Sequence, residues 1–348
     1  MGAPYGAGAE DTDIIGTEEM KAIVVNDYGG AETLSFADVP IPEPGDGEVL
    51  VKLAYAGVNF IDVYIRGGLY ARSHTYAQTP PMVIGMEGAG EVAALGPGAG
   101  DLAEGDRVAY CLSLGSYAEY ATVPAWKLVK VPHGVPLDIA AALQLQGSTA
   151  HYLTQSLFAL GPGHWCLVHA GAGGVGQLVI QLAKARGATV IATVGSGEKA
   201  GIARARGADH VIDYRQDDFV AAVKEITGGK GVDVVYDSVG KDTFEGSLEC
   251  LKPRGVLSNN GASSGAVTAI DPMDLAEAGS VYFTRPHLAD YIADAKERNL
   301  RAGDLFRLWR QGSLTVTIDR ALPLSDAAEA HRAIEGRLTK GKLLLRIR

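Results

Sequence analysis

The stretch Trp165–Gly176, WCLVHAGAGGVG, constrains more than any other what this chain can fold into. Trp165–His169 is a short apolar run of the kind that forms a buried strand. Glycines follow at positions 171, 173, 174 and 176, and Gln177–Arg186 then carries apolar residues at helical spacing until Gly187 stops it. Strand, glycine turn and helix make the first half of a βαβ unit. The glycines permit a tight turn and a close approach of backbone to a pyrophosphate, and the amides at the helix start face the phosphate oxygens. A glycine pattern alone is weak evidence, since any tight strand-to-helix turn could use one. Here the flanking strand and helix are both present, and another strand, Thr189–Val194, follows. That context predicts a dinucleotide site.

The rest of the chain divides around this unit. Residues 20–135 are β-rich, with candidate strands Lys21–Asn26, Glu48–Val58, Gly90–Leu95, Arg107–Cys111 and Tyr117–Val123 separated by Pro-rich and Gly-rich turns. That spacing suits a compact, barrel-like domain. Residues 137–160 turn helical. From 165 to about 260 strands and helices alternate, which means a parallel sheet covered on both faces. Pro286–Gln311 reads as a long helix broken near Gly303, Thr315–Asp319 as a strand, Ser325–Arg337 as a helix and Lys342–Ile347 as a final strand.

Composition excludes several classes. The 348 residues suffice for two domains, and 47% hydrophobic content rules out a largely disordered chain. No apolar run approaches the ~20 residues that span a bilayer. Residues 1–19 are small and acidic, unlike a secretory signal, and read as a flexible extension or an expression remnant. Three scattered cysteines, Cys111, Cys166 and Cys250, point to reduced thiols and a cytoplasmic setting. A net charge of −10 argues against nucleic-acid or anionic-membrane binding, while leaving room for a local basic pocket.

The second strand of the βαβ unit hints at the cofactor. NAD-selective sites place Asp or Glu at its end, to hold the ribose hydroxyls. This chain has Thr193-Val194-Gly195-Ser196-Gly197-Glu198-Lys199 there, with Glu198 expected to point outward. Lys199 supplies a cation, Ser196 leaves room, and Tyr214-Arg215 offers a ring and a second cation. Together these favour a 2′-phosphate and therefore NADPH; the alternative is that Lys199 is a solvated helix residue.

Gly57–Tyr70 (GVNFIDVYIRGGLY), Gly171–Gly176 and Tyr236–Gly240 (YDSVG) together resemble the NADPH:quinone oxidoreductase family, the zinc-free, zeta-crystallin-like branch of the medium-chain dehydrogenase/reductases. The likeness runs from about Met20 to the C-terminus and includes Gly147-Ser148-Thr149, Asn260–Gly265 and Thr284-Arg285-Pro286. It implies an α/β chain: a GroES-like β-rich catalytic domain built from 20–143 and 286–348, and a Rossmann-type, doubly wound parallel sheet over 144–285. It implies pocket residues Asn59, Tyr64, Tyr70, Thr149, Tyr152 and Arg285. The cofactor contacts it implies are Thr149, Ala172, Gly173, Gly174, Val175, Gly176, Ser196, Lys199, Tyr214, Ser238, Val239, Gly261, Ser263, Phe283, Arg285 and Lys342. It also implies a homodimer, and Val281-Tyr282-Phe283 is a candidate exposed edge strand for it.

Where zinc-dependent relatives carry Cys and His ligands, this chain has Asn59 and the Met86 of Gly85-Met86-Glu87, and Gln144–Gly147 offers no Cys, His or carboxylate. A catalytic zinc needs three such donors, so no metal is expected. Without a Lewis acid, the chemistry suits acceptors already activated by conjugation, with one donor placed at the oxygen that gains charge. Asn59 and Tyr64 are candidate donors, with Tyr64 as a mere wall residue the alternative. Tyr70 reads as a gate, and Arg285 faces either the pocket or a surface ion pair. The segment Ala71–Val83 is longer than the family pattern, and Arg72, His74 and Tyr76 are candidates to cap the pocket. The leading expectation is a reductase of quinones or related conjugated carbonyls. The alternatives are a reductase of activated carbon–carbon double bonds and a non-catalytic, crystallin-like NADPH-binding protein.

Overall fold

A computed structural model describes residues 18–348. The extension expected over residues 1–19 lies, up to residue 17, outside the described residues, and Glu19 already opens the first strand.

The N-terminal portion is built from β1 (Glu19–Val25), β2 (Leu34–Pro40), β3 (Glu48–Val58), helix α1 (Phe60–Arg66), β4 (Met82–Val83), β5 (Glu87–Leu95), β6 (Arg107–Cys111), β7 (Tyr120–Pro124) and β8 (Val129–Lys130). Helix α2 (Leu137–Tyr152) follows, extended by a π-helical turn over Leu153–Leu157. Strands β9 (Trp165–Val168), β10 (Thr189–Val194), β11 (His210–Asp213), β12 (Val232–Asp237), β13 (Leu251–Asn259) and β14 (Tyr282–Thr284) then alternate with α3 (Gly174–Ala185), α4 (Gly197–Ala205), α5 (Phe219–Ile226), α6 (Phe244–Glu249) and α7 (Pro272–Glu277). The chain ends with α8 (Leu288–Tyr291), α9 (Ala295–Arg310), β15 (Ile318–Pro323), α10 (Ala327–Glu335) and β16 (Lys342–Arg346).

The alternating strands form one parallel sheet in the order β11-β10-β9-β12-β13-β14, the doubly wound arrangement. Its strand order reverses beside β9, so the crevice past the carboxyl ends of β9 and β12 is where a dinucleotide-binding fold puts its ligand. The N-terminal strands form a three-stranded sheet, β2-β1-β4, and a larger sheet in the order β15-β16-β3-β5-β6-β8, with β7 also paired to β3. Strand β16 joins this sheet antiparallel to β3, Leu344 opposite Gly57, so the chain's end returns to its beginning.

Helix α2 is buried over most of its length, from Ala140 to Tyr152, and packs against β3, β5 and β6 on one side and against α3 on the other. The boundary expected between residues 143 and 144 therefore falls inside a helix that packs on the N-terminal strands and on α3. The largest apolar cluster runs through it, from Val58 and Leu344 to Val168 and Tyr236.

Three elements depart from the sequence expectation. The break in the helical stretch after Pro286 lies at 292–294, not at Gly303: Arg301 Nε donates to the carbonyl of Tyr291 (2.7 Å), and Asp294 caps α9 by accepting from the Glu297 amide (2.8 Å). The strand expected at Thr315 starts at Ile318, because Gln181 occupies both the amide (2.8 Å) and the carbonyl (3.0 Å) of Thr315. Strand β7 begins at Tyr120 because Tyr117 bridges instead, accepting from the Ile23 amide and donating to the Ile84 carbonyl.

Candidate active site

The glycine turn sits at the carboxyl end of β9. Ala170 enters it in the left-handed region, φ 52°. A Cβ on Gly176 would run into the Ala170 carbonyl, and one on Gly171 would press on Ala192 of β10. These positions demand glycine for close packing of helix on strand. No side chain caps the first turn of α3, so the amides after Gly173 are left for an external acceptor at the positive end of the helix dipole. Across the crevice, Asp237 accepts from the amides of Val239 (2.8 Å) and Gly240 (3.0 Å) and shapes the Ser238–Gly240 turn. A Cβ on Gly261 would strike Ser238, so these two loops close one wall together.

At the end of β10, Ser196 caps α4 by accepting from the Lys199 amide (3.3 Å). Lys199 Nζ donates to the carbonyl of Arg337 (2.8 Å), and Glu198 turns outward to Lys340 (2.6 Å). Burial and the nearby charges of Arg215, Lys340 and Arg337 pull the Lys199 ammonium below its usual pKa. Lys199, Arg215, Arg337 and Lys340, the last paired with Glu198, gather a net positive charge that fits a phosphate monoester, and the exposed Tyr214 ring lies against Gly195 at the end of β10. Arg337 and Lys340 belong to the loop after α10 and were not expected from the sequence. They reach the site only because β16 folds back on β3. Phe283 packs edge-on against Phe244 at 5.7 Å, and Ser263 offers its carbonyl to Arg337 (3.3 Å).

A pocket of about 160 Å³ opens beside the glycine turn. Asn59, Tyr64, Tyr70, Thr149, Tyr152 and Arg285 all line it, together with Val175, Ser238 and Gly261. All the expected pocket residues therefore meet. Tyr152 stacks face to face on Tyr291, ring centres 4.1 Å apart. Arg285 makes no ion pair among the described residues; its guanidinium donates to the Pro286 carbonyl (3.2 Å). Of the residues expected to cap the pocket, Tyr76 is buried in its wall, whereas Arg72 and His74 are exposed and line nothing there. The Ser73 hydroxyl accepts from the amides of Thr75 and Tyr76, and that turn swings Tyr76 inward. Tyr76 is 6% exposed.

The floor corrects two expectations. Lys342, read as a cofactor contact, is 1% exposed beneath the pocket, where its ammonium pairs with Glu87 and donates to Asn59 Oδ1 (2.6 Å). Asn59, read as a donor to the acceptor, commits its amide hydrogens to Glu87 Oε2 (2.8 Å) and the Gly57 carbonyl (3.3 Å). Glu87 Oε1 in turn accepts from the Leu145 amide, so the buried triad is satisfied. An ammonium thus stands next to Asn59, where zinc-dependent relatives have a ligand. Among the described residues, no three His, Cys, Asp or Glu side chains group as a metal site.

Behind the floor runs a second buried network. Asp62 accepts from the Asn59 amide (2.9 Å) and from Tyr117 (3.2 Å), Tyr117 meets His331 (3.1 Å), and His331 meets Arg66 (2.9 Å). Burial raises the Asp62 carboxyl to about 7 and, with Arg66, lowers His331 to about 3. The imidazole is therefore neutral; it accepts from Arg66 at Nδ1 and donates from Nε2 to Tyr117.

Tyr64 is the one candidate donor left with a free proton. Its hydroxyl accepts from the amide of Ala262 (3.1 Å), on the loop after β13, which leaves its own hydrogen to give. Burial pushes its pKa up to about 12, so the phenol stays protonated.

Comparison with known proteins decides the family. Residues 45–133 match the alcohol dehydrogenase GroES-like domain, and residues 174–293 match the zinc-binding dehydrogenase model. A quinone oxidoreductase of Pseudomonas aeruginosa is 43% identical over 91% of this chain and 97% of its own length. The chain belongs to the quinone oxidoreductase family. A 2-haloacrylate reductase of Burkholderia is 42% identical over 94% of this chain and 98% of its own length. The crystal structure of Escherichia coli quinone oxidoreductase complexed with NADPH superposes with a TM-score of 0.90 at 41% identity, covering 94% of this chain and 100% of that one. Within the quinone oxidoreductase family, this chain's Asn59, Met86 and Lys342 leave no zinc-type donor set despite the zinc-binding name of the matching model. No helix among the described residues is long and apolar enough to cross a membrane.

Proposed function

We propose that this protein is an NADPH-dependent, metal-independent reductase of quinones and related conjugated carbonyl acceptors, working in the cytoplasm. The observation that carries this reading is that one cleft joins the glycine turn at Val175 to a pocket holding Tyr64, Thr149 and Arg285. The α3 amides would hold the pyrophosphate, Ser196, Lys199, Tyr214 and Arg337 the 2′-phosphate, and Thr149, Ser238 and Gly261 the nicotinamide end. Bound NADPH supplies a hydride. The chain supplies the rest: Tyr152 and Tyr70 hold a flat acceptor, and Tyr64 donates a hydrogen bond to the carbonyl oxygen that gains charge. The half-buried Arg285 guanidinium biases the pocket toward negative charge. Protonation is completed by water, since the Tyr64 phenol is too weak an acid to lose its proton. The likeness to a 2-haloacrylate reductase supports a second reading, reduction of activated carbon–carbon double bonds in the same pocket.

NADPH oxidation with a simple quinone tests the proposal; an absence of turnover would leave a binding protein. The native enzyme is expected to bind NADPH more tightly than NADH, and Lys199→Ala to weaken NADPH roughly tenfold or more, as the loss of a charge-assisted hydrogen bond implies, with NADH unchanged. Equal native affinities would refute the 2′-phosphate assignment.

The protein is proposed to be a homodimer. Strand β14 is an edge of the parallel sheet, and Tyr282 on it is 65% exposed. An edge with unpaired amides can pair with its symmetry mate across a two-fold axis. Light scattering should give twice the chain mass, and a monomer mass at all concentrations would exclude the dimer.

A further inference from the structure

Helix α2 brings to the cleft one polar side chain that neither the cofactor nor the acceptor assignment uses. Gln146 lines the same pocket as Thr149, which lies three residues on and so on the same face of the helix. The neighbouring glutamines are engaged. Gln144 Nε2 donates to the Ala140 carbonyl (3.2 Å), Gln177 Nε2 to the Ala172 carbonyl (2.8 Å) and Gln181 Nε2 to the Thr315 carbonyl (3.0 Å). Gln146 is 9% exposed, and its carboxamide has no hydrogen-bond partner among the described residues. Neither of its polar atoms is sealed off, so both face open space in the cleft. That carboxamide rests on the glycine turn. A Cβ added to Gly174, the first residue of α3, would meet the Gln146 carboxamide before any other group. Gly174 thus leaves room for Gln146 at the uncapped end of α3, where the backbone amides await an acceptor.

Building on the reading of the glycine turn as the NADPH pyrophosphate site, we propose that Gln146 donates a hydrogen bond to that pyrophosphate. A carboxamide carries two N–H donors and no charge. Beside the free amides of α3 it makes a set of converging donors, the arrangement that binds an anion at a helix N-terminus. A buried donor left unpaired is costly, and a bound diphosphate satisfies it. Lys199 and the cations around it stand past the end of β10, and none of them lines this pocket. Two functions are thereby separated. Lys199 serves the 2′-phosphate that distinguishes NADPH, whereas Gln146 serves the diphosphate that NADPH and NADH share.

Calorimetric titration reads the contact with no acceptor present. Gln146→Met keeps the length of the side chain and removes its donors. It should weaken NADPH and NADH by the same factor, about tenfold or more, the loss of one hydrogen bond to a charged group. Gln146→Glu sets a carboxyl against the pyrophosphate and should weaken both at least as much. Adenosine 2′-monophosphate carries the 2′-phosphate and no pyrophosphate. It should bind both variants within about twofold of native, as expected for an independent site in an intact fold. 2′-Phospho-ADP-ribose keeps the pyrophosphate and lacks the nicotinamide, and should lose the same factor as NADPH. Unchanged dinucleotide affinity in both variants overturns this inference alone. So does an equal loss for adenosine 2′-monophosphate, or a loss confined to ligands that carry the nicotinamide. A native protein that binds neither NADPH nor NADH overturns the cofactor reading and this inference with it.

Discussion

Replacing Lys342 by Met should cost about 3–5 kcal/mol of folding stability, the usual effect of leaving one partner of a buried ion pair without the other. Lys342 and Glu87 are 1% and 0% exposed, and the pair joins the last strand, β16, to β5 through Asn59 at the head of α1. In Lys342→Met, the buried Glu87 carboxylate keeps only the Leu145 amide and the Asn59 side chain. The methionine replaces the alkyl chain of the lysine, so the loss is electrostatic and not a cavity. Urea unfolding measures it. The double variant Glu87→Gln/Lys342→Met should recover most of the loss, because the neutral carboxamide can still accept from the Leu145 amide without an unbalanced charge. A single variant within about 1 kcal/mol of native would mean that the floor is held by packing alone.

Tyr64→Phe should slow reduction of an enone about a hundredfold, or roughly 3 kcal/mol, the usual effect of removing one donor from a developing oxyanion. The phenol keeps its proton at neutral pH, and its oxygen is already oriented by the Ala262 amide. Quinones are intrinsically more reactive, so their reduction should fall less. NADPH affinity should hardly change, because the half-buried Ala262 amide can turn to water. Steady-state kinetics with both acceptors, beside a fluorescence titration of NADPH, reads all three quantities. Unchanged kcat with both acceptors would make Tyr64 a wall residue only.

Much of the site was legible because its parts are short and contiguous. Strand, glycine turn and helix occupy consecutive residues of one βαβ unit, and Asn59 to Tyr70 lie within two turns of α1 and the loop after it. Such segments carry their geometry in local spacing. Asn59 lines the pocket, but its side chain is occupied by Glu87 and Lys342, which lie 28 and 283 residues away, too far for local spacing to signal. The same distance in sequence explains the reading of Lys342 as a cofactor contact. A lysine in a closing strand carries no local sign of which way it faces.

Apolar alternation and glycine placement were enough to determine the α/β class, the parallel sheet and the dinucleotide turn, because backbone sterics and burial act over a few residues at a time. Tertiary structure alone brought Arg337 and Lys340 to Lys199, seated Tyr76 against His287, and turned Lys342 inward. The placing of Arg337, Lys340 and Lys342 depends on β16 pairing antiparallel with β3, and the two halves meet where α2 packs on β3, β5 and β6 and on α3. The register of that final strand, Leu343 opposite Val58, puts the adjacent Lys342 within hydrogen-bonding reach of Asn59 and Glu87. A shift of one residue would turn its side chain to the other face of the sheet, and only the long-range ladder sets that choice.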